Sequence, residues 1–416
     1  MLVAGEASGD QLAAELVTAL RNQLPEASYF GAGGAGMSAA GVELVQEMSQ
    51  LAVVGVTDVL AKLFELRRLM RKLLTLAIQR QPDVIIGVDY GGFNLRLGHA
   101  IKEYVRGNPF SKWNPRLVQF VSPQVWASRP GRAQRLARDY DLLLSIFPFE
   151  RAWYAERAPG LRVEFVGHPM VGRFPRNDLL GPPRDELQFT HPTDGSAPLP
   201  NRPPRIVLLP GSRKSELRRH LPPLLDALEL IKTQLRASSP NPDPSNRDLV
   251  VREPGREPAS PFVAKMVLPS HALSALAGQL ALPPANFEIQ IGGLTQALAQ
   301  ADIALAKTGT VTMECAFFGV PTVTLYKGSW LNYQIAKRLI TVKTFTMPNL
   351  LANEEVYPEF LQYELTGQNL ARAALDLLQN EARRRKIKAQ LAGIIASLGE
   401  PGASRRAAKA ILSLFP

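Results

Sequence analysis

The chain has one cysteine, Cys315, in 416 residues, and five histidines (His99, His168, His191, His220, His271) that recur at no ligand spacing. A single thiol excludes a disulfide framework and a thiolate metal cluster, and scattered imidazoles offer no ligand set, so no metal is expected. No run approaches the roughly 18 apolar residues that a helix needs to span a bilayer. The start carries no basic–apolar–small pattern of a signal peptide: Met1-Leu2-Val3-Ala4 leads straight into Gly5-Glu6-Ala7-Ser8-Gly9-Asp10. A cytoplasmic protein is the expectation. With 46% apolar and 20% charged residues the chain is globular rather than disordered. The 48 Lys and Arg outnumber 37 Asp and Glu, giving a net charge of +11, which favours phosphorylated substrates or an anionic membrane surface. The basic residues are scattered and lack interleaved aromatics, so nucleic acid is not an expected partner.

A chain of this length is long for one core and comfortable for two. Over 1–172, strand-like segments (Leu2–Ala4, Ser28–Phe30, Val84–Val88, Leu117–Val121, Leu142–Ile146, Val163–Val166) alternate with helical periodicity, as in Gln11–Gln23. That alternation predicts a parallel, doubly wound sheet. Residues 173–204, rich in Pro, Asp, Gly and Arg, read as a linker. A second βα series fills 205–366, interrupted by a Pro-, Asn- and Ser-containing stretch, 237–261, expected to be a mobile insertion. Residues 367–416 read as basic C-terminal helices, with Arg383-Arg384-Arg385-Lys386 a solvated face. The expected fold is α/β, with two Rossmann-like domains facing across a cleft.

The most informative segment is Ala301–Cys315: a buried strand, the polar turn Lys307-Thr308-Gly309-Thr310, then a helix with Glu314 one turn inside it. Backbone N–H groups of Thr308, Gly309 and Thr310 at a helix N-terminus favour an anion, with Thr310 the expected N-cap. Glu314 lies too deep to cap and close enough to bind hydroxyls, so phosphate at the amides and a ribose diol at Glu314 is the favoured reading. The plain alternative is an ordinary turn with a dipole-stabilising Glu. A partner segment, Arg205–Arg213, is another apolar strand, ending in Gly211-Ser212-Arg213. Gly211 permits close backbone approach, and Arg213 offers a planar cation where the helix dipole gives it no benefit. Two such strand ends suit a pyrophosphate gripped in one α/β domain.

In the first half, Pro82–Asn94 is a buried strand ending in Asp89 beside Gly91 and Gly92. A carboxylate there is a candidate general base; the alternative is an Asp that caps the following turn. Ser8-Gly9-Asp10-Gln11 has capping-box spacing and would set Glu6 at the mouth of the first strand. Ser122, Trp126 and Arg129 follow another strand and suit a phosphorylated, partly apolar acceptor. Gly31-Ala32-Gly33-Gly34-Ala35-Gly36 fits G-x-G-x-x-G without the acidic residue a dinucleotide fingerprint requires, and reads as a flexible loop. In Thr57–Arg80, Val59, Leu63, Leu66, Met70, Leu73, Leu74 and Ala77 form one helical face. Leu60 and Phe64 fall off it beside Arg67, Arg68 and Arg71, as in an interfacial anchor; a helix buried on two sides is the alternative.

Together, Gly5–Asp10, Gly87–Tyr90 with Phe93-Asn94, Val121–Ala127, Phe165–Pro169, Leu209–Arg213, Thr308–Glu314 and Pro348–Leu351 resemble, in order and spacing, the lipid-A-disaccharide synthase family. This is glycosyltransferase family 19, of GT-B architecture. The resemblance implies transfer of a diacylglucosaminyl unit from UDP-2,3-diacylglucosamine to 2,3-diacylglucosamine 1-phosphate, with inversion and without cofactor or required metal. It implies a homodimer attached peripherally to the inner face of the cytoplasmic membrane. Asp89 would deprotonate the acceptor 6-hydroxyl, Gly211, Ser212, Arg213 and Thr308–Thr310 would hold the pyrophosphate, and Glu314 the ribose. Asn349 would line the same nucleotide site, and Trp126 and Arg129 would contact the acceptor. The family pattern Trp-Ala-Trp-Arg has Ser128 in place of its second Trp, and relatives carry several more residues before the first strand, as in a truncated start. Another UDP-sugar enzyme of this fold, a non-catalytic UDP-sugar-binding homologue and, more distantly, a nicotinamide oxidoreductase are the competing readings.

Overall fold

The computed structural model describes residues 1–48, 59–173, 202–238, 261–280, 287–330, 333, 334, 338, 340 and 342–416, excluding the side chains of 59–63 and 238. The chain forms two compact units. The first takes the described residues of 1–173, Ile340 and Ser397–Pro416; the second takes those of 174–338 and Val342–Ala396.

The first unit is built on seven parallel strands: β1 (Leu2–Ala4), β2 (Phe30–Gly33), β3 (Glu43–Glu47), β4 (Val84–Val88), β5 (Arg116–Phe120), β6 (Leu142–Ser145) and β7 (Val163–Phe165). Their order is β3-β2-β1-β4-β5-β6-β7. A parallel sheet covered on both faces needs near-continuous apolar runs. Leu2-Val3-Ala4, Ile85–Val88, Leu117–Phe120 and Leu142–Ser145 are accordingly buried, Gln119 and Ser145 being their polar members. The last helix, Ala403–Leu412, packs on the first, Ala7–Arg21, inside this unit.

The second unit has six parallel strands: β8 (Arg205–Leu209), β9 (Val263–Leu268), β10 (Phe287–Ile291), β11 (Ile303–Lys307), β12 (Thr322–Tyr326) and β13 (Glu359–Leu361), in the order β10-β9-β8-β11-β12-β13. The helices Lys214–Ser238 and Gly367–Gln379 pack together, and their buried Leu217, Leu221, Leu224, Leu370 and Leu377 join Ile206, Leu208, Leu305 and Val323 in one apolar core.

In each sheet the chain builds outward on one side and then returns to pair on the other. Strand order therefore reverses between β1 and β4 in the first unit and between β8 and β11 in the second. Such switch points open a crevice beyond the carboxyl ends of the two strands, where ligands of doubly wound sheets bind. Asp89 follows β4, and Gly211–Arg213 and Thr308–Thr310 follow β8 and β11.

Several local expectations give way. The second strand runs Phe30–Gly33 rather than Ser28–Phe30, and β3 is a polar, half-exposed edge strand without an apolar signal. The first helix starts at Ala7; Glu6 is its N-cap with no side-chain cap bond, so the Ser8–Gln11 capping box does not form. Asp10 is used elsewhere. Its carboxylate accepts N–H bonds from Gly34 (2.7 Å), Gly36 (2.8 Å) and Met37 (3.1 Å). The glycine segment is thus a strand and a helix start pinned by an internal anion, not a flexible loop. The position where a dinucleotide phosphate would rest is filled by Asp10, which argues against the nicotinamide reading.

The expected 57–80 helix is Val59–Arg80, with Leu69, Leu73 and Ala77 buried and Leu66, Met70 and Leu74 packed beside them. Phe64 is 67% exposed, next to exposed Arg67, Arg68 and Arg71. No helix among the described residues is long and apolar enough to cross a membrane. Of the expected linker, 174–201 lies outside the described residues, as does 239–260 of the expected insertion.

Candidate active site

At the first switch point, Asp89 and Tyr90 both adopt left-handed backbone conformations, with φ of 50° and 45°. Two consecutive non-glycine residues there are strained and persist only when their surroundings fix them. Two buried carboxamides do so. Asn94 and Gln119 each donate from their side-chain nitrogen to the Asp89 carbonyl at 2.9 Å, and Asn94 also reaches the Val3 carbonyl at 3.3 Å. Their amide oxygens have no partner, a cost to stability that the clamp carries. Tyr90 lays its ring on Gly5, where a Cβ would stand 2.3 Å from the ring.

The Asp89 side chain stands over the start of the first helix, 3.6 Å from where a Cβ on Gly9 would lie. Burial pushes its carboxyl above the ordinary carboxylate range; the Tyr90 N–H pulls it back, and the Glu6 carboxylate pushes it further up. A half-buried carboxylate with raised affinity for a proton is what a general base requires.

The structure separates the expected acceptor-side residues. Glu6 and Arg129 are exposed. Trp126 is 6% exposed, and its Nε1–H donates to Glu150 Oε1 at 2.9 Å. Ser122 is also buried, its hydroxyl 3.1 Å from the Tyr154 hydroxyl. Glu150 Oε2 accepts from Ser145 Oγ at 2.8 Å, and burial pushes this carboxyl up to about 7 against the bonds it accepts. Ser122 and Trp126 are thus fastened inward by Tyr154 and Glu150, whereas Arg129 reaches solvent.

At the second switch point Gly211 and Gly309 have φ of 126° and 144°, positions where an L side chain would be strained. The helix at Gly309 begins with Thr310 as its first residue, so Gly309, not Thr310, is the N-cap. The Thr308 N–H is spent on the Leu325 carbonyl at 2.9 Å. Of the three expected amides, those of Gly309 and Thr310 remain at this helix start.

The β8 turn carries its own anion. Glu216 Oε2 accepts the Ser212 N–H at 3.0 Å, and its Oε1 lies 3.5 Å from Arg213 and 3.4 Å from Lys307 Nζ. One carboxylate therefore draws together the cations of both strand ends, while the Arg213 side chain stays 70% exposed. His220 ties the frame. Its Nδ1 lies 2.6 Å from the Pro210 carbonyl and its Nε2 accepts the Lys327 N–H at 3.0 Å, so the ring is neutral with its proton on Nδ1. Burial holds its pKa below the usual value.

Glu314 is half-buried one turn into its helix, as expected. The Asn349 side chain is occupied within the protein. It is fully buried, donates to the Tyr357 carbonyl and Glu359 Oε1 (both 2.8 Å), and accepts from the N–H groups of Val356 (2.9 Å) and Tyr357 (2.8 Å). Both donors and both lone-pair positions are used, so its work is to fold the 346–359 segment. Sequence reasoning missed Gln119, Glu216, His220, Lys307 and Glu150. Only Glu216 left a local signal, three residues past Arg213 in the first turn of its helix.

Two parallel doubly wound sheets, each with a polar site at its switch point, define the GT-B class of α/β protein. Solved structures of similar fold are a calicheamicin glycosyltransferase (TM-score 0.54, 15% identity, covering 99% of this chain and 96% of that one) and MurG of Acinetobacter baumannii (0.52, 16%, 99% and 98%). A UDP-GlcNAc 2-epimerase of Neisseria meningitidis, bound to UDP-GlcNAc, is another (0.54, 10%, 99% and 98%). At such identities the likeness carries the fold only.

The family is carried by sequence. The family model described as lipid-A-disaccharide synthetase matches residues 1–245 and 285–413. Lipid-A-disaccharide synthases of Solibacter usitatus and Myxococcus xanthus are 35% and 33% identical, each covering 100% of this chain and 97% of the relative. The chain belongs to the lipid-A-disaccharide synthase family.

Proposed function

We propose that the protein is the glycosyltransferase of lipid A biosynthesis that joins UDP-2,3-diacylglucosamine to 2,3-diacylglucosamine 1-phosphate, releasing UDP. Asp89 takes the proton of the acceptor 6-hydroxyl as that oxygen attacks the anomeric carbon. The bond from that carbon to the UDP oxygen breaks, and its electron pair leaves on the diphosphate. A single displacement inverts the anomeric centre. Arg213 and the N–H groups of Gly309 and Thr310 stabilise the charge that develops on the leaving diphosphate, the kind of electrostatic contribution that dominates such reactions. Glu314 holds the ribose.

The observation that carries this reading is Asp89 itself: a carboxyl with raised proton affinity, on a strained turn clamped by Asn94 and Gln119 at a switch point. Peripheral attachment to the inner face of the cytoplasmic membrane is supported by Phe64, exposed among Arg67, Arg68 and Arg71, because an apolar group ringed by cations suits an anionic interface. The homodimer rests on the family resemblance.

The test is UDP release from UDP-2,3-diacylglucosamine in detergent with EDTA, with and without the acceptor, and mass analysis of the product. Acceptor-dependent release with a tetraacyl disaccharide 1-phosphate is expected. UDP binding without release on any acceptor would overturn it in favour of a non-catalytic homologue, and release on a different acceptor in favour of another UDP-sugar enzyme.

A further inference from the structure

Four arginines of the first unit gather without a compensating carboxylate: the Arg132 N–H donates to the Arg129 carbonyl at 3.0 Å, and the helices that carry Arg96 and Arg132 pack on each other. Arg96 lies on the helix Gly91–Gly107 that follows Asp89, Arg129 ends the segment after β5, and Arg132 and Arg135 open the helix Arg132–Asp139. The Arg132 guanidinium is held below its ordinary pKa by burial and then by Arg129, Arg135 and Arg96. Among the described residues none of the four makes an ion pair.

Their neighbours on the same two helices do. Arg138 pairs with Asp139 at 3.1 Å, Arg106 with Glu103 (2.8 Å) and Asp139 (3.4 Å), and Lys102 with Asp141 (3.1 Å). On the eight-residue helix the unpaired Arg132 and Arg135 thus lie in the N-terminal half and the paired Arg138 in the C-terminal half. Arg132 and Arg135 sit at or near its N-terminus, where the macrodipole disfavours a cation and favours an anion. Folding gains nothing from that placement; a bound anion would.

The cluster belongs to the segments that leave the ends of β4 and β5, on the edge of the sheet that carries Asp89. The Asp89 N–H donates to the Phe120 carbonyl at 2.8 Å, and a Cβ on Gly91 would stand 2.9 Å from Pro123. These two segments are therefore in contact beside Asp89.

We propose that Arg96, Arg129, Arg132 and Arg135 form the phosphate subsite for the acceptor, binding its phosphate monoester while the reacting hydroxyl lies at Asp89. The proposal rests on the function given above. A monoester carries close to two negative charges near neutral pH, and planar guanidiniums bind such groups in forked pairs. The diester headgroup of a membrane lipid carries one charge and matches four cations less well.

The test is the double variant Arg132→Gln, Arg135→Gln. It is assayed in neutral detergent with 2,3-diacylglucosamine 1-phosphate and with the same diacylglucosamine as a phosphate-free methyl glycoside. The KM for the phosphorylated acceptor should rise about tenfold or more, its preference over the phosphate-free acceptor should shrink by a similar factor, and UDP affinity should hold. The double Lys variant should recover part of the loss. An unchanged KM and preference would overturn the proposal. So would loss of sedimentation with phosphatidylglycerol vesicles while the detergent KM stays put, because the cluster would then serve a lipid headgroup. If the wild type turns over no acceptor, the functional reading has failed by itself. Calorimetric titration with glucosamine 1-phosphate then decides the subsite: binding lost in the double variant supports it, and equal or absent binding in both proteins overturns it.

Discussion

The two switch points are built from opposite materials. In the first unit the strand end is a carboxylate, forced into a left-handed turn, clamped through its carbonyl by Asn94 and Gln119, and made more basic by burial and by Glu6. In the second, the strand ends are glycines followed by amides and cations, with Glu216 holding Arg213 and Lys307 near one place. One end is suited to take a proton and the other to hold an anion. The same topology thus offers two chemistries, set by the residues placed just past each strand.

Asp89→Asn should break the comparison most severely. Turnover should fall by about 100- to 10,000-fold, the usual contribution of a positioned general base, with UDP affinity unchanged. Stability should move the other way. The folded carboxyl lies above its unfolded value, so the stability it contributes is full below the unfolded pKa and is lost as pH rises through the folded one. The variant, neutral throughout, should therefore melt higher than the wild type at pH 8. Retained turnover in a steady-state assay would remove Asp89 as the base.

Arg213→Ala should act on the other side. UDP affinity should weaken by about tenfold, a modest figure because this side chain is 70% exposed and solvent screens it. Unchanged UDP binding by calorimetry would take Arg213 out of the nucleotide site.

Trp126→Phe sharpens the boundary between support and contact. It removes one donor from buried Glu150 and should cost about 1–3 kcal/mol of stability by denaturant unfolding. The acceptor KM should stay within about twofold, the expected result for a side chain that folds the site without touching substrate. A large rise in KM at unchanged stability would return Trp126 to the acceptor site.

What was legible in the sequence follows from the range of the interactions. β1 and β4 could be read to the residue, because buried parallel strands are apolar runs bounded by glycine and aspartate. So could the positions of Asp89, Gly211 and Gly309 just past strand ends. β3 could not, since a half-exposed edge strand of Glu-Leu-Val-Gln-Glu lacks such a run. Side-chain partners were the least legible. Asp10 caps a helix start 24–27 residues away, Trp126 meets Glu150 across 24 residues, and Asn349 is consumed by a turn 7–10 residues on. Polar residues next to a motif look available until the fold shows what they already hold.

The most direct test of the account is the pH dependence of kcat/KM for the wild type beside Glu6→Gln. The Glu6 carboxylate raises the proton affinity of Asp89, so removing that charge should lower it. The account predicts a wild-type acid limb above the ordinary carboxylate range and a limb displaced to lower pH in Glu6→Gln. An acid limb that stays in place in the variant, or a wild-type limb at an ordinary carboxylate value, would contradict the assignment of Asp89 as the base.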